Sequence, residues 1–157
     1  MNKINTFLVG AQKAGTTSLY DWLGQHKDIS APSLIKDYHF FTDGKLFSKG
    51  ASHLESFFQH QSLIRLHCAV NYMFFSKSTA QKIHQYNPNA KIIFCLRNPV
   101  DRAKSAYKYF KRTLREDNSF EKALFKELNN ELTTHKELSD NTYLEHSNYF
   151  NQILDYM

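Results

Sequence analysis

The 157-residue chain is long enough for one domain with a real core and not comfortably enough for two. It is 41% hydrophobic and 15% aromatic, as globular proteins are, and no apolar run is long enough to cross a membrane. A formal net charge of +5 favours an anionic partner, but so mild a basic balance does not by itself argue for nucleic acid.

Met1-Asn2-Lys3 runs straight into Ile4-Asn5-Thr6-Phe7-Leu8-Val9, too short for the core of a secretory leader and without a cleavage site, so a cytoplasmic protein is expected. Residues 4–9 predict a strand bounded by Gly10. After Gly15 a helix is predicted, with Leu19, Trp22 and Leu23 on its apolar face. Residues 27–60 read as loop-rich, passing Pro32 and the aromatic runs Tyr38-His39-Phe40-Phe41 and Phe57-Phe58. A short strand is predicted around 66–72, then a helix capped by Ser76 or Ser78 and ending near Asn87-Pro88. Residues 91–96 form a continuous apolar run, which predicts a strand buried on both faces.

Pro99 fits the first position of a further helix, with Asn98 as its cap and Asp101 near its positive end. Ala103, Ala106, Tyr107 and Phe110 make one stripe on it, while Asp101 and Arg102 read as helix-surface or supporting residues. Another helix is predicted from Ser119 through Leu132. The last places Phe150, Ile153, Leu154 and Met157 on one face and stops without a cap, which reads as a single domain over 1–157 that is incomplete at its C-terminus. Strands alternating with helices predict an α/β fold: three layers, a short parallel sheet flanked by helices.

Phe7 to Trp22 read FLVGAQKAGTTSLYDW. A strand, a glycine-bounded turn and a helix N-terminus make an anion site, because free backbone N–H groups and the helix dipole face the ligand. Gly10 and Gly15 let the chain wrap an oxyanion, Lys13 adds a cation, and Thr16, Thr17 and Ser18 add hydroxyls. The turn is close to the nucleotide-triphosphatase P-loop, but Thr16 holds the lysine position and the lysine has moved back to 13. The strand that could supply a Mg²⁺-holding aspartate ends instead in Arg97.

Lys91 to Tyr107 read KIIFCLRNPVDRAKSAY. Arg97 stands where the strand emerges and Ser105 about two turns into the next helix. In a parallel sheet that end shares an edge with the first turn, so both could face one ligand. A guanidinium fork and a hydroxyl suit a terminal phosphate.

QKAGTTSL resembles the 5′-phosphosulfate loop of sulfotransferases that use 3′-phosphoadenosine-5′-phosphosulfate (PAPS), and LRNPVDRAKSAY resembles their 3′-phosphate segment. The nearest subgroup is the heparan-sulfate and bacterial carbohydrate sulfotransferases, with weaker likeness through KGASHLESFF, FEKAL and SNYFNQIL. The resemblance implies a P-loop-like sulfotransferase fold and sulfuryl transfer from PAPS to a hydroxyl or amine, expected on a carbohydrate. It implies that Lys13, Gly15, Thr16, Thr17 and Ser18 hold the 5′-phosphosulfate, with Lys13 stabilising charge on the bridging oxygen. Arg97 and Ser105 would hold the 3′-phosphate, and the nucleotide product would be 3′-phosphoadenosine-5′-phosphate (PAP).

The family's segment K-E-x-H-F-F supplies a glutamate base. Here Lys36-Asp37-Tyr38-His39-Phe40-Phe41 stands in its place, making Asp37 or His39 the candidate base. A second family segment, E-K-[ST]-x-x-Y, is matched by His67-Cys68-Ala69-Val70-Asn71-Tyr72, without the acid and the lysine. Neither Cys68 nor Cys95 sits in a CxxC pair and no histidines show metal-ligand spacing, so neither a disulfide framework nor a metal is expected. Two other functions compete: a truncated, non-catalytic PAPS/PAP-binding remnant, and a P-loop kinase using ATP.

Overall fold

A computed structural model describes residues 3–58 and 62–157. Met1 and Asn2, at the start of the leader reading, and residues 59 and 60, at the end of the loop-rich segment, lie outside the described residues. Four strands form a parallel sheet: β1 (Thr6–Gly10), β2 (Ile29–Ser30), β3 (Ile64–Cys68) and β4 (Lys91–Phe94), in the order β2-β3-β1-β4. Thr6 of β1 lies opposite Leu66 on one side and Lys91 on the other, so three strand ends reach one edge of the sheet together. The chain is therefore a three-layer α/β structure, as the alternation of strands and helices predicts.

The period of two along β1 decides what covers each face. Leu8 packs with Leu66, Cys68 and Tyr20 under α1 (Thr16–Gly24). Phe7 and Val9 point the other way, into a core with Phe40, Phe41, Leu54, Tyr72 and Met73. That second face is roofed by the 35–58 segment, which includes α2 (Gly44–Phe47) and α3 (Ala51–Glu55), and by α4 (Asn71–Phe74) and α5 (Ser76–Tyr86). Burying that many aromatic side chains is the main source of stability here, at roughly 1.5–3 kcal/mol for each one removed from water. A third cluster joins α6 (Pro99–Arg112) to α7 (Phe120–Leu128) and Tyr143, and α8 (His135–Asn141) and α9 (Tyr149–Leu154) complete the chain.

The start of α6 forms as its sequence dictates. The Asn98 side chain accepts from the N–H groups of Val100 and Asp101 at 3.1 and 3.3 Å, and Pro99 opens the first turn. Elsewhere the boundaries and faces differ from the predicted ones. The strand expected at 66–72 ends at Cys68, because Ala69 and Val70 turn into α4. Ser76 opens α5 from inside, its hydroxyl bonded to Asp155 at 2.6 Å rather than capping. The helix expected over 119–132 stops at Leu128.

Apolar spacing does not say what an element packs against, and several placements differ in part from the expected ones. Leu19 and Leu23 of α1 pack against the sheet as expected, but Trp22 is 69% exposed and Tyr20 takes the buried place. On the last helix Phe150 and Leu154 face solvent, while Tyr149, Ile153 and Tyr156 join the core. β4 is half-buried rather than enclosed, because among the described strands only β1 pairs with it. Arg102 is fully buried and not at the helix surface. No helix among the described residues is long and apolar enough to cross a membrane.

Candidate functional site

The site is made where β1, β3 and β4 end. Gly10 closes β1 with φ 150°, and a Cβ there would fall 2.8 Å from Met73 Cβ and 3.0 Å from the Val70 carbonyl oxygen. Only glycine fits between the first turn and α4. The turn is then stitched to β4: Ala11 N–H donates to the Cys95 carbonyl and Cys95 N–H to the Gly10 carbonyl, each at 2.7 Å. Gly15 takes a left-handed φ of 97° as the residue before α1, in open space, so its freedom serves the bend rather than a close approach.

The first-turn amides of α1 lack carbonyl partners by helix geometry and carry the positive end of its dipole. They open into a cavity of about 600 Å³ lined by Gln12, Lys13, Gly15, Thr16 and Thr17. Arg97 and Ser105 line the same cavity. The structure therefore brings the two motifs to one place, and the Arg97 guanidinium donates from Nη1 to the Lys13 carbonyl at 3.3 Å. Ser18 is exposed on α1 and is not part of the lining.

Asp37 and His39 line the cavity as well. The Asp37 N–H donates to the Cys68 carbonyl at 2.8 Å, and its Oδ1 accepts from the Val70 N–H at 3.2 Å. Its Oδ2 pairs with Lys36 Nζ at 2.6 Å, with the carboxylate side chain still 38% exposed. The carboxylate is thus fixed to the end of β3 yet open to the cavity. His39 is half-buried beside it in the lining.

His67 and Cys68, which stand where the family pattern has an acid and a lysine, belong to the interior. His67 Nε2 lies 2.9 Å from the Tyr72 hydroxyl, and burial pushes its pKa down to about 3. Burial and then the nearby Asp37 carboxylate push the Cys68 thiol up to about 12, so neither is a ready acid, base or nucleophile near neutrality.

The charge of the site is lopsided. Lys13 and Arg97 have no carboxylate partner among the described residues. Beside them a groove of about 490 Å³ follows α6, where Lys104, Lys108 and Arg112 lie one turn apart with Asp101 as the sole acid in the lining. Like charges four residues apart weaken a helix slightly, a cost with no structural return here. The Lys13 ammonium is held below the ordinary lysine range, first by burial and then by Arg112, Arg97 and Lys36. Such a surface lowers its energy by taking up an anion.

Sequence reasoning missed the far wall. Arg115, Ser139 and Asp140 line the cavity, with Arg115 Nη1 3.3 Å from Asp140 Oδ2. The chain just after α8 is held from a distance. Glu127 accepts the backbone N–H groups of Tyr143 and Glu145 at 2.5 and 2.7 Å, and Arg102 donates to the Tyr143 carbonyl at 2.5 Å and the Ser147 hydroxyl at 2.7 Å. No local motif signals contacts of that kind. Tyr109 also lines the cavity, and its place one helical turn after Ser105 was a signal that could have found it. A second opening of about 670 Å³ adjoins the centre, and His39, Asn71, Ser139 and Asp140 border both spaces. The arrangement can hold an extended polyanion on the α6 side and a polar group on the other, with a carboxylate and an imidazole between them.

Comparison with known proteins places this geometry. The family described as Sulfotransferase domain matches residues 3–157. A sulfotransferase from Alicyclobacillus acidocaldarius superposes with a TM-score of 0.84 at 32% identity, covering 99% of this chain and 68% of that one. The bifunctional heparan sulfate N-deacetylase/N-sulfotransferase 1 of Xenopus tropicalis is 36% identical over 110 residues, which are 65% of this chain and 12% of that protein. Heparan sulfate glucosamine 3-O-sulfotransferase 6 of Homo sapiens is 31% identical over 102 residues, covering 64% of this chain and 28% of that protein. The chain thus matches only a minor part of these two curated relatives.

Proposed function

The chain belongs to the sulfotransferase domain family, and from that premise we propose that it moves a sulfuryl group from PAPS to a hydroxyl or amine of a carbohydrate. The observation that carries this reading is the shared cavity: the Lys13–Thr17 turn, Arg97 with Ser105, and Asp37 with His39 all line it. Lys13 and Arg97, without a carboxylate partner among the described residues, fit a donor that is anionic at both ends. The names of the relatives refer to heparan sulfate, which favours a polysaccharide acceptor.

PAPS supplies a sulfuryl group already activated on a phosphate leaving group. Lys13 and the first-turn amides of α1 would hold the phosphosulfate end, and Arg97 and Ser105 the 3′-phosphate. Charge builds on the oxygen bridging sulfur and phosphorus as that bond breaks, and fixed donors such as Lys13 act most strongly there. The acceptor would enter from the opening bordered by His39, Asn71, Ser139 and Asp140. Its O–H or N–H proton would pass to Asp37 or His39, and PAP would leave. Asp37 is one methylene shorter than glutamate, and its tie to the Val70 N–H sets it against the cavity wall.

The test is transfer itself. The chain is incubated with sulfate-labelled PAPS and partly desulfated heparan sulfate, and label in the polysaccharide is followed with time. Time-dependent labelling that needs both PAPS and protein supports the reading. Donor binding without labelling of polysaccharide or small acceptors would point to the non-catalytic alternative.

A further inference from the structure

We propose that Tyr109 is a positioning residue for Lys13, its ring holding the ammonium ready for an incoming oxyanion. The inference rests on the donor-binding reading of the cavity and adds to it a residue outside both recognition motifs.

Lys13 Nζ lies 4.2 Å from the centroid of the Tyr109 ring, well within the range over which an aromatic face attracts a cation. The same ring has Arg115 at 5.3 Å and Arg112 at 5.9 Å. Three cations therefore gather around one half-buried ring at the edge of the cavity. Arg115 has Asp140 as its partner, whereas Lys13 has Arg112 and Arg97 near it and its ammonium is held below the ordinary lysine range, first by burial and then by those two cations. Something has to hold Lys13 in place. Among the described residues no carboxylate does so, and only the ring is left.

The choice of a ring over a carboxylate has a chemical consequence. A carboxylate would cancel the charge that the donor needs and would compete with the donor for the N–H groups. An aromatic face attracts the ammonium and leaves its three N–H groups to turn toward an oxyanion. The contact belongs to the ring and not to the phenol, because no hydrogen bond of the Tyr109 hydroxyl is found among the described residues. Placement follows from α6: Tyr109 is one turn after Ser105, on the side of the helix that borders the site.

The experiment is PAP titration by calorimetry of the wild type, Tyr109→Phe, Tyr109→Ala, Lys13→Met and the Lys13→Met/Tyr109→Ala double variant. Tyr109→Phe keeps the ring and is expected to bind within about twofold of wild type. Tyr109→Ala is expected to bind roughly 3- to 30-fold more weakly. In the Lys13→Met background the Ala change is expected to lose most of that effect, since it acts through Lys13. An equal effect in both backgrounds, or a loss in Tyr109→Phe equal to that in Ala, overturns the proposal. A readout without ligand separates it from the donor reading: the ε-methylene resonance of Lys13 should be shifted upfield by the ring current, and the shift should vanish in Tyr109→Ala but remain in Tyr109→Phe. Failure of the wild type to bind PAP while that shift is present would count against the donor reading alone. Absence of the shift in the wild type refutes the Lys13–Tyr109 contact whatever binds.

Discussion

Arg97 reaches across the mouth of the site to the carbonyl of Lys13, 3.3 Å from Nη1 to oxygen, although 84 residues separate them in the chain. The bond joins the end of β4 to the turn after β1, so the residue expected to hold one end of the donor also braces the loop expected to hold the other. Arg97→Ala should weaken PAP binding about 10- to 100-fold, the range for losing a charge-assisted hydrogen bond. Ser105→Ala should cost less, about 2- to 10-fold, as for a neutral hydroxyl. Calorimetric titration of the two variants checks both the size and the order of the losses.

The two glycines of the first turn should behave differently. A Cβ on Gly10 meets Met73 and the Val70 backbone, so Gly10→Ala should cost about 2–4 kcal/mol of stability or prevent folding. A Cβ on Gly15 meets nothing within 4 Å, leaving only the cost of its left-handed backbone, about 1–2 kcal/mol. Urea denaturation of the two variants measures both. Equal destabilisation would mean that α4 does not press on the turn as described.

The base can be assigned by separating rate from binding. If Asp37 takes the proton, Asp37→Asn should lower kcat about 10²- to 10⁴-fold with little change in the affinity for PAP. His39→Asn would then mainly raise the KM for the acceptor, because His39 borders the opening through which the acceptor is proposed to enter. The reverse pattern would assign the proton to His39.

Acid should destabilise the fold through its buried histidines. His67 and His146 are both pushed down to about 3 by burial, so they stay neutral in the folded chain while the unfolded chain takes up protons near the ordinary value of 6.5. Their contribution is full above that value and is lost as pH falls toward 3, about 2 kcal/mol for each by pH ~5. His67→Phe should flatten the fall in melting temperature between pH ~7.5 and ~5. The Tyr72 hydroxyl would keep the Phe41 N–H and the Tyr38 carbonyl, at 3.1 and 3.2 Å, so loss of its third partner leaves it satisfied. An unchanged pH slope in that variant would contradict the neutral, buried state of His67.

Local chemistry was readable where it determined local structure. Gly10 and Gly15 announced the end of a strand and the start of a helix, and Asn98-Pro99 announced the start of α6 to the residue. What the sequence concealed depends on partners far along the chain. Trp22 shares the spacing of Leu19 and Leu23, which do meet the sheet, but its expected place is taken by Tyr20, whose hydroxyl reaches the Pro32 carbonyl at 3.0 Å. Ser139 and Asp140 carry no motif; they border the cavity because Arg102 of α6, Glu127 of α7 and Glu116 between those helices fasten the segment around Tyr143. The pattern of 67–72 showed that an acid and a lysine are missing there, but not that the inward face of β3 carries His67 and Cys68 into the core.

The most direct measurement of the central claim is calorimetric titration of the wild-type chain with PAP, with Mg-ATP in parallel. A site made for phosphate at both ends of an adenosine predicts binding of PAP clearly tighter than that of Mg-ATP. A folded chain that binds Mg-ATP as tightly as PAP, or binds neither, would contradict it.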